Sequence, residues 1–277
     1  MPNPPRPAAE RQLVALDLDG TLLGYDSTLP SGHVHAIRRL HDQGVLVAIA
    51  TGRMVLTAQW VHDRLRLSTP LIAFNGGWVG NPGNPHEAPL AVAALTELET
   101  RAIIAVLRDF PGATCGYPDA RTWLMDCEIP ATEGWREIYR IDIRIDDEPF
   151  RQWRGPSHKV MFVTDPLLVP EVSTHLRRIF AGRFQVVASQ HDRIEILPGP
   201  VTKAWGLEHL ARHLGVARAN VWAVGDADND REMIAWAGHG CVMGQAHHSL
   251  KNLARHVLPG VHARGLCALP GLMARHL

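Results

Sequence analysis

The stretch Leu13–Asp26, LVALDLDGTLLGYD, decides the fold. Its first four residues are uninterruptedly apolar, the pattern of a strand covered on both faces. Two carboxylates, Asp17 and Asp19, then stand two residues apart with Gly20 directly behind them. A strand that stops burying side chains and offers two acids at a glycine turn is either a solvated turn or a paired-carboxylate site. The remainder of the chain discriminates between the two.

Working outward, LPSGHVHAIRRLHDQG (29–44) reads as a helix, with Ser31 as its cap, Val34, Ile37 and Leu40 at helical spacing, and Gly44 placed to end it. VLVAIATGR (45–53) is a second buried strand running into a Thr-Gly turn. An amphipathic segment covers Met54 to Leu65, and LIAFNGG (71–77) is a third strand. Strand, helix, strand, helix, strand means βαβ units and a parallel sheet. The rhythm breaks at GNPGNPHEAP (80–89), a linker composition. Beyond it lie a helical stretch from Leu90 to Phe110, the strands RTWLMD, HKVMFVT, RFQVVAS and RIEIL, and a helix from Val169 to Phe180: an α+β module. After PGPVT (198–202) the α/β rhythm returns with KAWGLEHLARHLG, VWAVGD, NDREMIAWAG and GCVMG. The expected organisation is a disordered tail over 1–10, a discontinuous α/β core over 11–82 and 198–277, and an inserted α+β domain over 83–197.

Composition narrows the function classes. Lys plus Arg and Asp plus Glu both number 28 in 277 residues, so no global field attracts nucleic acid or an anionic membrane. No apolar run approaches the roughly 20 residues of a membrane helix, and MPNPPRPAAE lacks the apolar stretch of a signal peptide. Four cysteines without a CxxC pair do not make a secreted disulfide framework. A soluble cytoplasmic protein is expected; monomer and homodimer both fit. His33, His35, His247 and His248 read as residues of exposed helix faces, and Trp123, Trp135 and Trp153 as core rather than ligand-stacking residues. The run Arg136, Arg140, Arg144, Arg151 and Arg154 is interleaved with acids, as in a solvated face.

In an open parallel sheet, ligands gather beyond the carboxyl ends of the strands where strand order reverses. Four strands here end in polar or glycine-rich sequence: Asp17-Leu18-Asp19-Gly20-Thr21, Thr51-Gly52-Arg53, Asn75-Gly76-Gly77 and Gly225-Asp226-Ala227-Asp228-Asn229-Asp230. Asp17, Asp19, Asp226 and Asp230 gathered at one point repel one another and call for a cation. Hard oxygen ligands suit Mg²⁺ better than Zn²⁺, and a magnesium held by few carboxylates shares its remaining positions with a phosphate. Phosphate-binding pieces are present: the Thr51 hydroxyl, the Gly52 N–H at an expected helix start, and Lys203 directly after Thr202, the expected cap of its helix. A cation in a first helical turn opposes the helix dipole by about 0.3–1 kcal/mol, which suits a charge that faces an anion.

DLDGT, ATGR, a lysine opening a helix, and GDADND, in that order, resemble the four signatures of the haloacid dehalogenase-like superfamily. LDLDGTLL, AIATGR, AFNGG, EILPGPVTKAWGLEHL, GDADNDREMI and GCVMGQA resemble its Cof-type branch of sugar and cofactor phosphatases. The resemblance implies a Rossmann-like core of sheet order 5-4-1-2-3 with an inserted cap, and an Mg²⁺-dependent phosphatase acting on a small phosphorylated metabolite through an aspartyl-phosphate. It implies Asp17 as nucleophile and Asp19 as general acid and base. Thr51, Gly52, Lys203 and Asn229 then hold the phosphoryl group, the Asp17 and Asp226 carboxylates with the Asp19 backbone carbonyl hold the metal, and Asp230 supports from behind. Gln245, in MGQA, departs from a common Asn-Ala pair. Alternatives are a phosphomutase acting on sugar phosphates and a non-catalytic phospho-ligand-binding protein. A dinucleotide site is excluded, since no GxGxxG follows the first strand.

Overall fold

In the computed structural model, residues 11–84, 86–139 and 141–276 are described; the 1–10 tail and Arg140 lie outside them. In chain order, β1 (Leu13–Leu16), α1 (Ser31–Asp42), β2 (Leu46–Ile49), α2 (Val55–Leu65), β3 (Leu71–Ala73), β4 (Trp78–Gly80) and β5 (Ala91–Val92) come first. An inserted set follows: α3 (Glu97–Leu107), β6 (Ala113–Gly116), β7 (Leu124–Met125), α4 (Thr132–Tyr139), β8 (Arg144–Ile145), α5 (Glu148–Arg151), β9 (Val160–Val163), α6 (Val169–Ile179), β10 (Phe184–Gln190) and β11 (Arg193–Pro198). The chain closes with α7 (Lys203–Leu214), β12 (Val221–Gly225), α8 (Arg231–Trp236), β13 (His239–Val242), α9 (His248–Lys251), β14 (His256–Val257) and α10 (Leu269–Met273). Among the described residues no helix is long and apolar enough to cross a membrane.

The chain divides into two compact units, Met1–Ala91 with Thr202–Leu277, and Val92–Val201. In the first, a parallel sheet runs β14-β13-β12-β1-β2, with Leu13 to Leu16 in register with Val221 to Val224 on one side and Leu46 to Ile49 on the other. β3 continues the order beyond β2 through the parallel bridge Ala50–Ile72 and the bond from Thr51 N–H to the Ile72 carbonyl, while pairing antiparallel with β4. The expected order 5-4-1-2-3 is therefore present, with β14 as an added edge strand too short to read from sequence. Both faces are covered, which is why these strands are apolar throughout. Leu207 and Leu210 of α7, Met233 and Ile234 of α8 and Leu250 of α9 pack on Leu13, Ala15 and Ala223; α1 packs against β2, α2 and α10.

Several local expectations are corrected. Ser31 is the first helical residue of α1 and Pro30 its cap, with φ fixed at −63° by the ring. His33 faces inward: it is fully buried, its Nδ1 2.9 Å from the Leu22 carbonyl, and burial lowers its pKa. The first junction between units falls after Ala91 rather than at 82, because Leu90 N–H bonds the Val79 carbonyl and Ala91 packs into the core. The second falls after Val201 rather than at 197, because β11 runs to Pro198 and the Gln185 amide holds the Gly199 and Val201 carbonyls.

The second unit carries a sheet of order β10-β11-β9-β6-β7-β8, antiparallel except for the β7–β8 pair. Its helical stretch begins at residue 97, not 90. A capping box sets that start: Glu99 N–H donates to Thr96 Oγ1, and Thr96 N–H to the Glu99 carboxylate. Period-two alternation turns Val160, Phe162, Ile194 and Ile196 toward Ile103, Leu107, Val172 and Leu176 of α3 and α6. On the opposite face Lys159 and Glu195 form a buried pair at 2.8 Å. Trp123, Trp135 and Trp153 are all buried, the first two stacked at 5.5 Å. Arg136, Arg144, Arg151 and Arg154 each meet an acid at the surface.

Candidate active site

The loop after β1 extends the sheet by one bond, from Asp17 N–H to the Val224 carbonyl, and then coils back, with Leu22 N–H on Asp17 O and Leu23 N–H on Leu18 O. This coil needs Gly20. Its φ is +83°, and a Cβ there would lie 2.3 Å from Asp226 Oδ2. The sharp turn leaves Asp17 buried at the sheet's carboxyl edge and Asp19 exposed.

Lys203 opens α7. Thr202 Oγ1 caps the helix by accepting from Trp205 N–H at 3.4 Å. The helix start is pressed onto the turn after β3, where a Cβ on Gly206 would lie 2.6 Å from Ile72 Cγ2 and one on Gly76 2.0 Å from the Thr202 carbonyl. Two missing side chains thus let α7 approach, and the fully buried Lys203 Nζ lies 2.6 Å from Asp17 Oδ1 and 2.7 Å from Asp230 Oδ1. The other oxygen of Asp230 accepts from the N–H groups of Asp226 and Ala227. Asp230 is therefore held on both sides before any ligand is considered.

Asp226 accepts from Tyr25 O–H at 2.7 Å, Gln245 Nε2 at 3.2 Å and, weakly, Thr21 Oγ1 at 3.4 Å. Carboxylate oxygens of Asp17, Asp226 and Asp230 lie within 4.8 Å of one another. Three carboxylates face one ammonium, so the cluster is electrostatically incomplete. Burial, followed by the charge of Asp230, holds the Asp17 carboxyl well above its ordinary range, against the pull of Lys203. Burial likewise raises Asp226. Burial works against the Lys203 ammonium, but the charges of Asp17 and Asp230 override it and its pKa is raised. Hard, crowded, under-neutralised oxygens are the donor set a divalent cation of the magnesium or calcium type requires.

The other expected site residues form a second group. The Asp19 carboxylate pairs with Arg53, Nε to Oδ2 at 2.9 Å and Nη2 to Oδ1, and Arg53 also reaches Ser27 Oγ. Thr51 is buried, its Oγ1 accepting from Arg53 N–H at 3.1 Å. The Asn75 side chain fills the space beside Gly52, and Asn229 Nδ2 donates to Asn75 Oδ1 at 3.0 Å. Phe74 and Asn75 hold φ of +51° and +53°, a strained turn that points Asn75 inward. Gly52 does not begin a helix: the cap of α2 is Met54, so its N–H precedes the first turn. Asn75, read from sequence only as part of a polar strand end, braces Asn229 and the space beside Gly52. Reading the sequence missed Tyr25 and Gln245 as partners in the site, although the unusual Gln of MGQA stood out.

Known proteins resemble this chain over most of its length. A family model described as haloacid dehalogenase-like hydrolase matches residues 14–268. The chain is 32% identical over 238 residues to the HMP-PP phosphatase of Cronobacter sakazakii, covering 85% of each. It is 31% identical over 262 residues to the 5-amino-6-(5-phospho-D-ribitylamino)uracil phosphatase YitU of Bacillus subtilis, covering 87% of this chain and 90% of that one. The crystal structure of a haloacid dehalogenase-like hydrolase from Bacteroides thetaiotaomicron superposes with a TM-score of 0.85 at 23% identity, over 95% of this chain and all of that one.

Proposed function

The chain belongs to the haloacid dehalogenase-like hydrolases, in their Cof-type branch, and is a phosphatase; from that premise we propose that it hydrolyses small phosphorylated metabolites through a phosphoenzyme on Asp17. The observation that carries this reading is the contact of Lys203 Nζ with both Asp17 and Asp230, beside the Asp226 carboxylate.

In this reading an Asp17 carboxylate oxygen attacks phosphorus, the bond from phosphorus to the leaving oxygen breaks, and Asp19 gives that oxygen its proton. Asp19 then takes a proton from water, the water oxygen attacks phosphorus, and phosphate leaves with Asp17 restored. Lys203, Thr51, Gly52 and Asn229 neutralise and orient the phosphoryl oxygens. Arg53 holds Asp19. The Asp17 and Asp226 carboxylates and the Asp19 backbone carbonyl would hold Mg²⁺, with Asp230 fixing Lys203. When bound, the ion supplies neutralisation of the charge that these carboxylates and the phosphoryl group bring together. Substrate selection falls in this reading to the inserted unit Val92–Val201, the counterpart of the family's cap. Substrates of the class named for the two curated relatives, small organic phosphates, are the ones to try first.

Asp17→Asn tests the reading directly. Release of inorganic phosphate from a panel of phosphorylated sugars, nucleotides and coenzyme fragments with Mg²⁺ is expected to fall about 10⁴-fold or more. Release near the wild-type rate would falsify the proposal.

A further inference from the structure

Asp226 differs from the other acids of the site. Asp17, Asp19 and Asp230 each touch a cation, whereas among the described residues Asp226 is hydrogen-bonded only by neutral groups. Two of these converge on one oxygen. Tyr25 O–H and Gln245 Nε2 both donate to Oδ2, leaving Oδ1 with the long contact from Thr21. The Gln245 amide is spent completely: Nε2 also donates to the Gly20 carbonyl at 2.6 Å, and Oε1 accepts from Val261 N–H at 3.0 Å. That last bond fixes which end of the amide points at Asp226. The Tyr25 ring lies over Gly20, where a Cβ would stand 2.8 Å from Cε1. Segments following β1, β12 and β13 therefore meet at a single carboxylate oxygen. An asparagine at 245 is one methylene too short to keep the Val261 contact and still reach both acceptors.

We propose that Tyr25 and Gln245 are positioning residues that fix the Asp226 carboxylate for the divalent ion, so that two side chains touching neither ion nor substrate set the affinity for it. The inference rests on reading Asp226 as a ligand of that ion. Outer hydrogen bonds to a ligating carboxylate orient it before the ion arrives, and losing them weakens binding about 10- to 100-fold.

The experiment is a calorimetric Mg²⁺ titration of metal-stripped wild type, Tyr25→Phe, Gln245→Leu, the double variant and Asp226→Asn, with a thermal melt of each in chelator. Tyr25 is mostly exposed, so Tyr25→Phe tests the contact without endangering the fold. The expected result is a dissociation constant raised about 10-fold or more in the double variant, with melts of the stripped proteins close together. Binding within twofold of wild type in the double variant, while Asp226→Asn binds poorly, overturns this inference alone. Wild-type binding by Asp226→Asn overturns the ligand assignment and this inference with it.

Discussion

Each unit of the molecule buries one lysine against carboxylate, and the two sites differ in the number of acids gathered there. In the inserted unit Lys159 meets Glu195 at 2.8 Å, with its ammonium 5.2 Å from the centre of the Tyr117 ring. In the parallel unit Lys203 meets Asp17 and Asp230, with a third acid, Asp226, alongside. The first pair matches one ammonium with one carboxylate. The second carries surplus negative charge under burial, which a protein built for stability alone would not retain. Burial of an ion pair does not mark a working site; an unbalanced one at a sheet's carboxyl edge does.

The contrast can be broken from either side. Lys203→Met should lower kcat/KM by about 10²- to 10³-fold, since it removes a fixed charge from where phosphoryl charge develops; a loss below tenfold in steady-state assays would make Lys203 structural. Glu195→Gln should leave chemistry per folded molecule intact while costing about 3–5 kcal/mol of stability, because it strands a buried ammonium. Urea unfolding measures this, and replacement of both partners by apolar residues should recover most of the loss.

Acid sharpens the comparison next. Burial pushes His158 of the inserted unit down to about 4, below the ordinary 6.5 of the unfolded chain. Above about 6.5 both states are neutral, and as pH falls the unfolded chain takes the proton first. Stability is therefore complete above that pH and is lost between about 6.5 and 4, by about 3 kcal/mol. His158→Gln should flatten the pH dependence of the urea midpoint over that window. Smallest is Gly206→Ala, which drives a methyl into Ile72 and the Gly76 backbone. A cost of about 1–3 kcal/mol is expected from thermal melts, with kcat reduced because the start of α7 carries Lys203.

What could be read from sequence follows from the range of each signal. Asp17, Lys203 and Asp226 were legible because each sits where an apolar run or a helix start meets glycine or acid within a few residues. The pairing of Asp19 with Arg53 spans 34 positions, and that of Tyr25 with Asp226 spans 201. No local period encodes such contacts. In the inserted unit β8 is two residues and α4 is eight, too short for a periodic pattern to emerge, while β7, also two residues, was read only as part of RTWLMD. The longer β9, β10 and β11 were legible. Ser31 and Gly52 were misplaced because helix starts shift by a residue or two with the turn that precedes them.

The pairing of β1 with β12 also governs how the molecule comes into being. Leu13 finds Val221 across 208 positions (221 − 13), so the strand that ends as the middle of the sheet begins life as its margin. Until the inserted unit has been synthesised and the chain has returned, β1 presents an open row of amides and carbonyls to the cell, with Asp17 at its tip and no lysine to answer it. A chain cut anywhere in the insertion therefore lacks both the strand that pairs with β1 on one side and the lysine that meets Asp17.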